Sequence, residues 1–373
     1  MTTRERAMAV LNYEPYDRLP LAHFGFWWQT IDKWRIEGHI PAALQAEFIE
    51  PSDNSPAEIE IASMLGFDFN WACWGGSDEG LRPKFDVHIV EEHEDGSSLV
   101  MDDKGVVVRQ RRGAQGIPAE VSHTLVDRES WEKEFVPRLQ FTPERVPDLS
   151  ELKGQPMPEN APRGLYLGSL YGFVRDMAGI VGLSYIQADD EDLYYEILDT
   201  VADLTYRCAK GVLEQGAHFD YAHFWEDICF KNGPLVTPSV FEEHVGPHYK
   251  RITDLCRSHG VNIISLDCDG WIDALIPTWF DNGVNTMFPI EVGTWGASIA
   301  PWRQKYGREL RGVGGMNKLI FAEDYAAVDA EIERLRPLVE LGGYIPCPDH
   351  RIPPDAKWEN VQYYCDQMRK VFG

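Results

Sequence analysis

From residue 164 onward the sequence alternates short apolar runs with helical patterns, and this alternation restricts the fold more than any other feature. The runs are GLYLGSLYG (164–172), FDYAHFWED (219–227), VNIISLDCDG (261–270), VNTMFPIEVG (284–293), LRGVGGMN (310–317) and GYIPCPDH (343–350). Six strands separated by helices require crossover connections, and crossovers of that kind give a parallel sheet. Two earlier runs, LPLAHFGFW (19–27) and FDFNWACW (67–74), bring the number to eight. The expected fold is therefore α/β, a closed (β/α)8 TIM barrel, in preference to an open doubly wound sheet. No GxGxxG and no GxxxxGK followed by Ser or Thr comes after any run, so a nucleotide-binding fold has no support.

Between about residues 84 and 112 the apolar period shortens to two. The stretch VHIVEEHEDGSSLVMDDKGVVVRQRR carries Asp95-Gly96 and Lys104-Gly105 as turn signals, so it reads as an antiparallel β meander inserted into the barrel. Residues 120–162, rich in proline and charge, read as the connection back. The expectation is one decorated domain over residues 1–373, with an N-terminal helical extension and an insertion at about 84–162.

The formal net charge of −25 disfavours nucleic acid and strongly anionic substrates unless a local basic pocket overrides it. No run of about 18 apolar residues occurs, so no membrane span is expected. The first residues, MTTRERAMAVLNYEPYDRLP, are charged and helical in pattern, without the apolar stretch of a signal peptide. Seven scattered cysteines form no CxxC pair, which fits reduced thiols in a cytoplasmic protein.

Chemistry concentrates at the strand ends. The late runs finish in Glu226 and Asp227, Asp267 and Asp269, Glu291, Asn317 and Lys318, and Asp349 and His350. In a barrel these ends converge on one mouth. Strand alternation puts Asp267 and Asp269 on one side and Cys268 on the other. Two carboxylates so placed can hold a cation, or one can stay protonated beside an ionised partner as a general acid. Simple capping of the following helix is the competing use of these aspartates. Glu226 is a candidate general acid or further ligand, or else a salt-bridge partner of Lys231. Phe24, Phe26, Trp27, Trp28 and Trp34, with Trp71 and Trp74, offer flat apolar faces for a small aromatic or apolar ligand, or pack the N-terminal helices on the barrel.

The chain resembles the uroporphyrinogen decarboxylase superfamily from RERAMAVLNYEPYDRLP (4–20) to its last helix. That superfamily closes with a Gly-His-Gly or Gly-Cys-Gly turn, a proline and a Glu-Asn pair; counted back from Glu359 and Asn360, the resemblance places His350 on the functional His or Cys. When ALIP (274–277) is registered with the corresponding family stretch, Asp267 and Asp269 take the positions of the His and Cys that hold zinc in the cobalamin-dependent methyltransferases, and His350 that of the last Cys. The resemblance thus implies a divalent metal, zinc foremost, on Asp267, Asp269 and His350, with every ligand type changed; such oxygen-rich ligation also admits a harder cation. It implies substrate contacts for Asp176, and Lys231 stands in a loop similar to one in other superfamily members. True decarboxylases carry an arginine-rich motif where this chain reads HFGFWWQTIDKW (23–34), so a tetrapyrrole with eight carboxylates is not the expected substrate.

The resulting expectation is a corrinoid-dependent methyltransferase, the demethylase component that moves methyl from a small, aromatic or similar, methyl ether. Catalysis is assigned to Asp267, Asp269, His350 and Glu226, and substrate contacts to Phe26, Trp27, Trp28, Trp74, Asp176 and Lys231. The chain has no cobalamin-binding Asp-x-His-x-x-Gly segment, so the cobalamin is expected on a separate corrinoid protein. The alternatives are a decarboxylase or other lyase on a small carboxylate, and a non-catalytic ligand-binding barrel. A homodimer is left open.

Overall fold

A computed structural model describes residues 1–48, 53–111, 118–154 and 160–373. Seven parallel strands form one sheet in the order Tyr344–Pro348, Arg311–Met316, Thr286–Ile290, Ile263–Asp267, Tyr221–Trp225, Gly164–Tyr166, Trp74–Gly75. The first strand, Ala22–His23, pairs in parallel with Phe69–Asn70, just upstream of Trp74. On its other side the same segment meets the residues after the last strand through the parallel bridge Phe26–Ile352, supported by the Ile352 N–H on the Gly25 carbonyl at 3.0 Å. All eight apolar runs thus lie where strands are observed, and their order around the sheet is the order of the chain.

Each strand is fully buried where the parallel ladder is longest. Ile263–Asp267, Thr286–Ile290 and Tyr344–Pro348 have no exposed residue, as expected for strands covered by the barrel interior on one face and helices on the other. The covering helices are amphipathic: Glu191–Glu214 buries Leu193, Ile197, Val201, Leu204, Cys208 and Val212, and Asp190 caps it by accepting from the Leu193 N–H. The register sets Asp267 opposite Trp225 on one neighbour and Phe288 on the other, which aligns the polar strand ends in one layer.

The expected meander is a four-stranded antiparallel sheet of His88–Glu92, Ser97–Met101, Val106–Arg111 and Ala119–His123. It runs further than the expected 84–112; Arg112, and residues 155–159 of the connection, lie outside the described residues. Among the described residues no helix is long and apolar enough to cross a membrane. All seven cysteines are free and buried.

Candidate functional site

Three aspartates meet at the mouth. Each of Asp227, Asp267 and Asp269 offers a carboxylate oxygen, and these atoms lie within 4.8 Å of one another. Asp267 is 2% exposed, and its Oδ2 has no hydrogen-bond donor among the described residues; neither has Oδ1 of Asp269. Burial, and then the charges of Asp227 and Asp269, push the Asp267 carboxyl well above the usual range. Asp227 is raised in the same way, by burial and then by Asp269, against a hydrogen bond from Trp225 Nε1 at 2.8 Å. His350 Nε2 stands 3.3 Å from Asp269 Oδ2, and its ring stacks on Trp27 at 5.6 Å and 16°.

The structure therefore brings Asp267 and Asp269 together, sets His350 against Asp269 but outside the close group of three, and puts in that group Asp227, which the sequence reading passed over in favour of Glu226. Alternation carried a usable signal. Phe224 is wholly buried, whereas Trp225 is half-buried and lines a cavity; two-residue periodicity puts Asp227, not Glu226, on the Trp225 side. Asp227 has φ +46°, a left-handed backbone that turns the chain at this point.

Glu226 is taken up structurally. Its carboxylate accepts from the N–H groups of Leu170 (2.9 Å), Tyr171 (3.1 Å) and Gly172 (2.8 Å), from Ser169 Oγ (3.0 Å) and from the Tyr249 hydroxyl. The three N–H groups are donors that the start of helix Tyr171–Asp189 leaves unpaired, so Glu226 anchors that helix, and with these bonds made it also borders the cavity beside the carboxylates. Gly172 is fixed by the same contact: a Cβ there would lie 1.9 Å from the Glu226 carbonyl oxygen.

Beside the carboxylates opens a cavity of about 530 Å³. Tyr166, Phe173 and Trp225 give it flat walls, and Asp227 and Glu79 face it. Burial raises the Glu79 carboxyl to about 8. Asp176 lines the cavity, as the resemblance implied, but is already paired with Arg175 at 2.9 Å and with Lys104 from the inserted sheet. Lys84, Lys104 and Arg175 are the cations along its wall among the described residues.

The aromatic residues divide. Trp27 is at the mouth, and Trp74 stacks on His223 at 3.9 Å behind Tyr166. Phe26 corrects the expectation: it is wholly buried against His23 and Trp34 and cannot touch a ligand. Trp28 does so too, since it stacks on Phe48 and borders a recess with Gln29, Asp32 and Lys33. Lys231 is exposed on the turn between Cys229–Phe230 and Gly233–Pro234 and faces a different cleft, with Trp271 and Trp295.

No curated protein sequence matches the chain. Among solved structures, a methyltransferase from Methanosarcina mazei is similar with a TM-score of 0.59 at 15% identity, covering 99% of this chain and 98% of that one. A protein named for vitamin-B12 independent methionine synthase, from Listeria monocytogenes, gives a TM-score of 0.43 at 13% identity, over 96% and 98% of the two chains. The first likeness agrees in fold with the strand order above. The sequence model of the family described as uroporphyrinogen decarboxylase (URO-D) matches residues 175–371, which carry Asp227, Asp267, Asp269 and His350, and the chain belongs to that family.

Proposed function

We propose that this chain is a methyltransferase that takes a methyl group from a small donor and passes it to cobalamin carried by a separate corrinoid protein, working at the mouth of a closed barrel with a divalent cation on Asp227, Asp267 and Asp269. The observation that carries the reading is the aspartate trio with its two donorless oxygens. Like charges at 4.8 Å repel by about 3.5 kcal/mol per pair at an effective dielectric of 20, so the trio requires a cation or shared protons. Three carboxylates with one imidazole nearby make an oxygen-rich set, which suits magnesium or manganese better than the zinc implied by the resemblance.

When bound, such a cation supplies Lewis acidity to the heteroatom that loses its methyl group. The chain's own residues do the rest. Tyr166, Phe173 and Trp225 receive a flat donor body, Trp27 holds the His350 ring in place, and His350 is positioned to donate a proton to the departing oxygen. The likeness to a structure named methyltransferase is in keeping with this reading. Three wall cations do not match eight carboxylates, so uroporphyrinogen should remain unconsumed when the reaction is followed by porphyrin chromatography.

The deciding experiment joins metal analysis of the purified protein with a spectral screen for conversion of cob(I)alamin to methylcobalamin, using methoxyarenes and simple methyl donors. Conversion that depends on added divalent cation supports the proposal. No conversion with any donor, together with carbon dioxide release from a carboxylated substrate, favours the second reading, a decarboxylase in which buried Asp267, its carboxyl held well above the usual range, returns a proton to carbon.

A further inference from the structure

A second cleft, of about 510 Å³, lies next to the carboxylate mouth and is lined by Trp271, Trp295, Trp302, Asp273 and Lys231. Trp271 is 44% exposed, and the backbone that carries it is held firmly. Its N–H donates to the Phe230 carbonyl at 2.8 Å, and the preceding Gly270 has φ +86° with no room for a side chain, since a Cβ would lie 2.6 Å from the Cys229 carbonyl oxygen. With half-buried Trp295 beside it in the same cleft, Trp271 is part of an apolar face and not a singly exposed ring.

The ring geometry narrows the chemistry. Trp271 and Trp295 have centroids 6.4 Å apart and planes at 35°, and Trp295 and Trp302 are 6.1 Å apart at 38°. At these spacings the indoles do not stack on one another: exposed Trp271 and half-buried Trp295 face the cleft, and Trp302, 5% exposed, backs them. Asp273 adds a carboxylate, which Trp302 Nε1 orients by donating to Oδ1 at 2.7 Å. Indole faces beside a carboxylate attract cations, and a methylated one gains most because it has little hydration to lose, packs its methyl groups on the rings and asks no hydrogen bond of Asp273, whose Oδ1 already accepts from Trp302; the net charge of −25 draws cations to the protein.

We propose that this cleft binds a small quaternary ammonium compound, its methylated nitrogen against Trp271 and Trp295 and its charge facing Asp273, which buried Trp302 holds in place. Where the ligand also carries a carboxylate, Lys231 receives it. Two sides of the cleft are tied to the strand end: Glu291 accepts from the Gly270 N–H at 2.5 Å and from Thr294 Oγ1 at 2.8 Å.

The test needs no cobalamin, so its outcome is independent of methyl transfer. Tryptophan fluorescence and calorimetric titration of the whole chain compare choline with its neutral isostere 3,3-dimethylbutanol, and trimethylglycine with tetramethylammonium. Choline should bind at least about tenfold more tightly than the isostere, and Trp271→Ala and Asp273→Asn should each weaken it about tenfold. Lys231→Met should weaken trimethylglycine and leave tetramethylammonium unchanged. Trp271 is exposed, so its replacement keeps the fold, which circular dichroism verifies. Equal binding of choline and its isostere overturns the proposal; so does undiminished binding to folded Trp271→Ala protein, or no binding of any quaternary ammonium.

Discussion

Replacing Asp267 by Asn removes one charge from the aspartate trio and keeps the size of the side chain. With all three groups ionised the substitution would relieve two repulsions of about 3.5 kcal/mol each. Proton sharing already relieves part of that, leaving a gain of about 2 kcal/mol for the metal-free protein. For a chain of 373 residues, an unfolding entropy of about 2.1 cal/mol/K per residue amounts to roughly 0.8 kcal/mol/K, so Tm should rise by about 2–3 °C. A cation reverses the order. At a hundred times Kd it stabilises the wild type by about 2.7 kcal/mol, or roughly 3–4 °C, and the variant by much less because one of three ligands is gone. Scanning calorimetry in EDTA and then in excess magnesium or manganese should show Asp267→Asn melting above wild type in the first buffer and below it in the second. A wild type unmoved by any divalent cation, with a variant that melts lower even in EDTA, would refute the reasoning, since the trio would then be held by hydrogen bonds.

Other expectations follow from the same contacts. Glu226→Ala orphans four buried donors and the half-buried Ser169 hydroxyl and should cost about 3–5 kcal/mol, read as a lower denaturation midpoint with an unchanged slope. His350→Ala should lower methyl transfer by about 10²–10³-fold while Tm stays within about 1 °C of wild type, because the ring is at the mouth and not in the core. Glu58, buried and then further raised by Asp53 to about 8, keeps in the folded state a proton that the unfolded chain loses near pH 4.5. Its contribution is complete below pH 4.5 and fades as pH climbs to 8, as does that of Glu79, also raised to about 8; neutral buried His23, lowered to about 3, acts in the opposite sense only below pH 6.5. Tm should therefore fall between pH 6.5 and 8, and Glu58→Gln should remove about half of that fall.

The strand positions were legible because a buried parallel strand needs four or five consecutive apolar residues whatever surrounds it, and Ile263–Asp267 and Tyr344–Pro348 leave little choice. Parity along one strand likewise placed Asp267 and Asp269 together. Choosing between Glu226 and Asp227 was harder, because they are adjacent and equally acidic; the donors that claim Glu226 come from residues 169–172 and 249, which only tertiary packing reveals. Phe26, Trp27 and Trp28 are consecutive aromatics, yet one fills the core, one covers His350 and one faces Phe48. Hydrophobicity alone does not separate a ring that packs from a ring that waits for a ligand. Lys104 was visible as half of a turn signal, but nothing local says that this turn ends at Asp176, 72 residues away.

That contact has an engineering consequence. The Lys104 turn belongs to a sheet with its own antiparallel ladder, footed on the barrel helix Tyr171–Asp189 by Lys104 with Asp176 and by His123 packed against Gly179. One wall of the cavity is thus carried by the inserted sheet, while the aspartates stand at or just beyond the ends of two buried barrel strands. Lengthening or recolouring residues 102–105 would resize the chamber and change what it admits, and the acid cluster would not register the edit. Selectivity and chemistry can drift separately in such a molecule, the first through a four-residue hairpin tip and the second only through the barrel itself.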